Sequence, residues 1–374
     1  MKKVLVLLAT FVLAFSLSAC KSEEDTVKLG VIGPLTGAYS FYGEAVENGA
    51  KLAADEINAA GGVLGMDLVI FAEDSEGDAE TGVNAYRKLV DNDEIDALIG
   101  GTFSGVTDGL KDLAIADGLP VLSPTATRDD ITLEADNVFR VCYNDSFQGS
   151  VAAVFAAEDL SATKAAVMFN SDDPYSAGLA DAFKAEFDAR SLAYDEYEFS
   201  ATDVDFSAQL TNIEAGDYDV VFLPAYVAEI GPILQKADEL GIDIPFIGGD
   251  GWDGIEADYA DEAEGNYFTN HYSKSDTADA VVDFVAAYEA AYGSTPNALA
   301  ALAYDAVYVM AQAMEDAGST DSADVIAALS AVSYAGAVTS DLPITFNDDG
   351  DPVKSITILQ VTSGDFTFIK KVNP

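Results

Sequence analysis

Short apolar runs closed by Gly, Ser, Thr or Pro recur along the chain, with longer stretches of helical period between them. Buried parallel strands alternating with covering helices leave this pattern. Residues 27–32, 68–72, 95–99 and 121–122 are the first four runs. Residues 44–59 place Ala50, Ala53, Ala54 and Ile57 on one face and stop at Gly61-Gly62, which predicts an amphipathic helix with a glycine stop. Residues 78–91 and those after Ser104 read as helices too. The β-α-β-α-β rhythm predicts an α/β fold, with a doubly wound parallel sheet covered on both faces.

The rhythm then repeats, with strands at 165–169, 194–199, 220–223 and 245–247 and helices at 179–190, 206–213 and 229–240. Residues 117–124 and 240–248 echo each other: a helix end, a glycine, a proline, then a strand meeting small residues. This weak repeat predicts two similar lobes. Helices at 278–292, 297–317 and 322–331 follow, then strands at 344–346, 355–361 and 366–372. If the first lobe takes the late helices, the chain crosses between lobes more than once.

Composition adds scale and compartment. With 374 residues, 49% of them apolar, the chain can build two cores. Its formal charge is −47, from 18 basic and 65 acidic residues. Such a surface repels nucleic acid and anionic headgroups, so no nucleic-acid partner is expected. Residues 1–19 read as a targeting segment: Lys2 and Lys3, an apolar stretch over 4–15, then Leu17-Ser18-Ala19-Cys20. The last four match a bacterial lipobox, whose cleavage leaves Cys20 as a lipidated N-terminus on a tether of residues 20–25. The alternative is an ordinary signal peptide with an incidental cysteine. Loss of the two lysines takes the charge to 16 − 65 = −49. No other run reaches the roughly 20 apolar residues that span a bilayer. Cys142, the other cysteine, reads as a buried structural thiol.

Candidate chemistry gathers between Leu98 and Thr127. Two strands there end in Gly100-Gly101-Thr102-Phe103-Ser104 and in Ser123-Pro124-Thr125-Ala126-Thr127. Ligands of open α/β sheets sit beyond the carboxyl ends of strands, so Ser104, Thr125 and Thr127 share one edge. Their hydroxyls and nearby N–H groups suit a small carboxylate, helped by a helix start near Ser104. The plain alternative is that Ser104 and Thr127 cap helices. In the second block Tyr175 and Tyr226 follow strand ends, as pocket aromatics or as rim packing. Asp250 lies among glycines, as a site carboxylate or a turn residue. Trp252 beside it is a lid or core. An enzyme reading lacks parts. Pro34 removes an N–H where a dinucleotide phosphate needs one, and the single His271 has no Gly-x-Ser-x-Gly elbow beside it. The acidic run at 348–351 lacks the calcium-loop pattern and reads as a solvated turn. No cofactor or metal is expected.

Together these stretches resemble the type I periplasmic binding proteins, specifically the branched-chain amino acid binding proteins of ABC importers. The likeness rests on Gly33-Pro34-Leu35-Thr36-Gly37 with Tyr42-Gly43, on Asp55-Glu56-Ile57-Asn58-Ala59-Ala60-Gly61-Gly62, and on Ile99-Gly100-Gly101 with Ser104. It continues in Ser123-Pro124-Thr125-Ala126-Thr127 and in Tyr175, Tyr226 and Asp250. The resemblance implies two doubly wound α/β lobes joined by three crossings that close on a ligand. Residues 26–144 and 271–355 would form one lobe, and residues 145–270 and 356–374 the other. It implies that Ser104 and Thr127 hold an α-carboxylate. The carbonyl of Thr125 and the carboxylate of Asp250 would hold an α-ammonium, and Tyr42, Tyr175 and Tyr226 would line the cleft. Asp250 stands where the family usually has glutamate. Ser75 and Phe103 stand where some members have a disulfide, and Phe103 and Trp252 are candidate pocket lining. The function implied is a monomeric, lipid-anchored, non-enzymatic receptor in the cell envelope that delivers a small amino acid to an ABC permease. A ligand-sensing receptor of the same fold and, less favoured, an α/β hydrolase or dehydrogenase are the alternatives.

Overall fold

The computed structural model describes residues 26–374; the targeting segment, Cys20 and the tether lie outside them. The first lobe is built from β1 (Val27–Gly33), α1 (Ser40–Ala60), β2 (Leu68–Asp74), α2 (Ala79–Lys88), β3 (Ala97–Ile99), α3 (Ser104–Asp117), β4 (Val121–Ser123) and β5 (Val138–Arg140). Its five strands run parallel in the order β2-β1-β3-β4-β5. The central strands β1, β3 and β4 are buried almost throughout, which is why they read as unbroken apolar runs.

The second lobe carries α4 (Asp145–Glu158), β6 (Lys164–Asn170), α5 (Pro174–Ala189), β7 (Ala193–Phe199), α6 (Ser207–Ala215), β8 (Val220–Phe222), α7 (Val227–Leu240), β9 (Phe246–Gly248), α8 (Glu256–Ala263) and β10 (Tyr267–Asn270). The chain then returns as α9 (Asp279–Tyr292), α10 (Ala298–Ala317) and α11 (Ser322–Leu329), whose apolar faces join the core of the first lobe. Helices α1 and α10 touch backbone to backbone. A Cβ on Gly49 would lie 2.1 Å from the Ala300 carbonyl oxygen, so the crossing demands glycine. Last come β11 (Ile356–Thr362) and β12 (Asp365–Val372), which complete a seven-stranded sheet in the order β12-β11-β10-β9-β8-β6-β7. The chain thus passes between the lobes three times. The second sheet is not wholly parallel, because β10, β11 and β12 pair antiparallel.

Several elements differ from the sequence reading. Helix α5 starts at Pro174, with the Asp173 side chain accepting from the Ser176 N–H at 3.1 Å. Asp-Pro is a cap followed by a first-turn proline, so Tyr175 stands in a helical turn and not in a loop. No strand forms at 344–346. Ile344 and Phe346 make single bridges to Tyr334 and Pro352, and the neighbouring Pro343 and Pro352 cannot donate to a ladder. The 348–351 run is not merely a solvated turn either. Asp351 accepts from the Nε of Arg140 at 2.5 Å, while Gly350 accepts from the Arg140 N–H at 3.1 Å. Trp252 is fully buried in the core of the second lobe, and its Nε1–H donates to the Leu223 carbonyl at 2.8 Å. It is not part of the cleft lining.

Arg140 is fully buried and also donates to the carbonyls of Ala126, Arg128 and Asp129. It fixes the loop that carries Thr125 and Thr127. Removing one partner of a buried pair costs about 3–5 kcal/mol. Arg140→Met is therefore expected to lose stability in that range by urea unfolding; a change under about 1 kcal/mol, the range of an exposed pair, would contradict the role given to Arg140.

Candidate ligand-binding site

The strand ends of the first lobe form one wall. Beyond β3 the chain turns through Gly100 and Gly101 to Phe103, and no side chain caps α3 there. Ser104 is the first residue of α3, and its Oγ accepts from the Arg128 N–H at 3.2 Å. It bridges two strand ends and does not cap its own helix. The Thr125 hydroxyl donates to the Thr102 carbonyl at 2.6 Å. Thr127 is fully buried, and its Oγ1 has no hydrogen-bond partner. It does not cap α4 either; the Asn144 side chain does, accepting from the Phe147 N–H at 3.0 Å.

The second lobe supplies the opposite wall. Asp250 opens a one-turn 3₁₀ helix, Asp250–Trp252, just after β9, and only 8% of it is exposed. A carboxylate withdrawn from water must be met by donors. Its Oδ1 accepts from Tyr175 Oη at 2.9 Å and from Gln148 Nε2 at 3.0 Å, and its Oδ2 lies 3.1 Å from His271 Nε2. Tyr175 Oη in turn accepts from the Gly251 N–H at 2.9 Å. The His271 proton therefore sits on Nε2, facing the carboxylate. Burial, the larger influence, depresses the His271 pKa to about 4 against the upward pull of Asp250. The imidazole is neutral at physiological pH, and its Nδ1 is a buried acceptor without a donor.

Aromatic rings join the walls. Tyr226 lies between Tyr175 of its own lobe, stacked at 4.9 Å between ring centres, and Phe103 of the other lobe, tilted against it at 4.4 Å. Tyr42 from α1 meets Phe103 and Tyr226 edge-on, each at 5.5 Å. The Tyr42 hydroxyl donates to the Gly251 carbonyl at 2.7 Å and accepts from the Val227 N–H at 2.8 Å, both in the other lobe. Burial holds the pKa values of Tyr42, Tyr175 and Tyr226 well above the usual phenol range, so all three stay protonated donors. The lobes are closed on one another. Tyr42, Thr102, Phe103, Thr125, Tyr175, Tyr226, Asp250, Gly251 and Leu299 surround a cavity of about 20 Å³, the space of roughly one water molecule.

The structure thus brings Tyr42, Phe103, Thr125, Tyr175, Tyr226 and Asp250 to one cavity. Ser104 and Thr127 stand at the same strand ends without lining it, and Trp252 lies elsewhere. Sequence reasoning missed Gln148 and His271, which hold Asp250 in place. It also set Cys142 apart correctly as an inert thiol: its Sγ contacts the Ala126 carbonyl at 3.4 Å, and burial raises its pKa to about 12.

Two α/β lobes closed over hydroxyls on one wall and a carboxylate on the other define a hinged solute-binding fold. Comparison with known proteins agrees. The family model of the periplasmic binding proteins matches residues 26–365. A Leu/Ile/Val-binding protein, BraC3 of Rhizobium johnstonii, is 35% identical over 324 residues, covering 85% of this chain and 87% of its own. Among solved structures, the leucine binding protein LivK of Thermotoga maritima superposes with a TM-score of 0.88 at 30% identity, covering 93% of this chain and 99% of its own. The branched-chain amino acid transporter substrate binding protein LivJ of Streptococcus pneumoniae, in complex with isoleucine, gives 0.87 at 31% identity, covering 94% and 100%. The chain belongs to the type I periplasmic binding proteins, in the branched-chain amino acid family. Its role is solute binding, and the family's members are extracytoplasmic substrate-binding proteins of ABC transporters.

His271 is the single histidine of the chain, so its ring gives one imidazole signal in a proton NMR titration. The expected midpoint is about 4; a midpoint near the ordinary 6.5 would mean that the ring is neither buried nor held as described. Because the unfolded chain takes up this proton at higher pH than the folded one, the stability tied to neutral His271 is fully present above about 6.5 and is lost as pH falls through about 4.

Proposed function

We propose that this protein captures a small amino acid, of branched-chain type, between its lobes and delivers it to an ABC permease from a lipid anchor at Cys20. One observation supports the ligand class above the others: hydroxyls and a helix start on the first wall face a buried carboxylate on the second. A zwitterion satisfies both. Ser104 and Thr127, with backbone N–H groups at the start of α3, hold the carboxylate by charge-assisted bonds. The Thr125 carbonyl and Asp250 receive the ammonium, while Tyr42, Tyr175, Tyr226 and Phe103 surround the side chain. A cavity of about 20 Å³ is too small for an amino acid with the rings as they stand. The lobes must part to admit one, and the rings must turn as they close again. The family's part in ABC import supports delivery to a permease, and we take the protein to act as a monomer. The lipobox supports the anchor, for which the readout is the mass of the mature N-terminus. A diacylglyceryl-modified Cys20 is expected, and an unmodified one would contradict the anchor.

Titration calorimetry with the twenty amino acids tests the ligand class. A branched-chain member is expected to bind tightest. Asp250→Ala removes the counter-charge of a buried ammonium, which costs about 2–5 kcal/mol, or about 30-fold to several-thousand-fold in affinity. Thr127→Val keeps the shape and loses one hydroxyl, an expected loss of about 1.5–3 kcal/mol. Affinity near that of the wild type for Asp250→Ala would remove Asp250 from the site.

A further inference from the structure

Two tyrosine hydroxyls of the first lobe reach across to the second. The one from Tyr42 meets backbone groups and borders the cavity. The other, from Tyr39, has no part in the site described above. Tyr39 is the residue before α1, next to the exposed residues 36–38. Its ring packs edge-on against Phe103 at 5.5 Å and against Tyr226 at 5.9 Å. Those two rings line the cavity and Tyr39 does not, so Tyr39 stands outside them, at the rim of the cleft. Its Oη donates to Glu229 Oε1 at 2.5 Å. Glu229 belongs to the second lobe, in the first turn of α7.

A hydroxyl on a carboxylate is a charge-assisted bond, stronger than the neutral ones that Tyr42 makes. Burial and then the charge of Glu229 hold the Tyr39 pKa above the usual phenol range, so the hydroxyl stays a donor. Glu229 has little else. Its Oε2 is buried and has no partner, and among the described residues no cation acts on it. Burial, the largest influence, raises the Glu229 pKa, and the Tyr39 hydroxyl opposes the rise. Asp173, whose side chain caps α5, is a second carboxylate whose charge acts on Tyr39. When the lobes part, water reaches both oxygens of Glu229. Closing withdraws them from water and gives the carboxylate this one bond in return. Without it a charged group would be buried unsatisfied, which costs more than the net worth of the bond itself.

We propose that Tyr39 and Glu229 form a latch at the rim, in which the hydroxyl of the first lobe holds the lobes closed over a bound amino acid and sets how fast it leaves. This rests on the reading of the cleft as a hinged amino acid site, and adds to it a pair of residues outside the ligand cavity. A contact made only once the lobes have closed acts on departure, where most affinity differences between related complexes lie. The packing of Tyr39 aims the hydroxyl. Phe103 and Tyr226 hold two edges of its ring, and Gly77 leaves room beside it: at φ +78° its missing Cβ would stand 3.3 Å from the rings of both Tyr39 and Phe103. Because Tyr39 packs on the two rings that cover the cavity, release of the latch also frees the rings that must turn to let a ligand pass.

The test follows the dissociation and association rates of radiolabelled L-isoleucine on the purified protein, and of the remaining nineteen amino acids if isoleucine does not bind. Tyr39→Phe keeps the ring and removes the hydroxyl. Dissociation from it is expected to be about 10-fold faster or more, with association within about 3-fold of the wild type. Glu229→Met added to Tyr39→Phe removes the stranded carboxylate as well. Replacing both partners by apolar groups is nearly neutral, so dissociation is expected to return to within about 3-fold of the wild type. Wild-type dissociation from Tyr39→Phe, a change confined to association, or a double variant that releases faster than Tyr39→Phe would each overturn the latch while leaving the amino acid site in place. A Tyr39→Phe protein that does not fold would assign Tyr39 to the stability of its own lobe and overturn it too. Failure of the wild type to bind any of the twenty removes the amino acid reading and this inference with it.

Discussion

The constraint on which this structure turns is the burial of Asp250. A carboxylate withdrawn from water is tolerated only among donors, and here each donor comes from a different place in the chain. Tyr175 is brought by α5, Gln148 by α4 and His271 by the end of β10. For these three to converge, β6, β9 and β10 must lie in one sheet and α4 must cross from the first lobe at the right height. The position of Asp250 therefore specifies much of the second lobe. Burial keeps His271 neutral against the pull of Asp250, and the contact with Asp250 leaves its Nδ1 as an acceptor, which shapes the polar surroundings of the cleft behind Asp250.

The first lobe answers with a wall of a different chemistry. Its hydroxyls are neutral, and the loop carrying Thr125 and Thr127 is held rigid by Arg140 beneath it. The Tyr42 hydroxyl then links this lobe to Gly251, the residue next to Asp250. Closure and site geometry are for this reason one event: the ring that reaches across also fixes the backbone beside the carboxylate. The row of packed rings Phe103, Tyr226 and Tyr175 runs across the same boundary, so any guest that enters has to displace aromatic surface already satisfied by other aromatic surface.

Much of this was legible in the sequence, for physical reasons. Central parallel strands buried on both faces leave unbroken apolar runs, and the small residues at their carboxyl ends stand where ligands of such sheets bind. Thr125, Tyr175, Tyr226 and Asp250, which the structure brings to one cavity, were read that way. Helix α4 was not, because it is buried over most of its surface, from Asp145 and Gln148 to Phe155 and Ala156, and so shows no amphipathic period. Strand β10 is only four residues long and lies between polar segments. Without those two elements Gln148 and His271 had no place. Gln148 is 102 positions from the carboxylate it supports, and a lone histidine without a motif gives no signal of its own. Trp252 misled for the converse reason. It neighbours a site residue, but in a one-turn helix adjacent side chains point apart, and its ring turns into the core.

Hinge closure around a zwitterion is the central claim, and small-angle X-ray scattering reads it directly. The radius of gyration of the protein alone and at saturation with its tightest-binding amino acid should differ, with the bound form smaller and matching the closed lobes described here. An unchanged scattering profile at proven saturation would contradict the account, because each wall alone satisfies only one end of such a ligand.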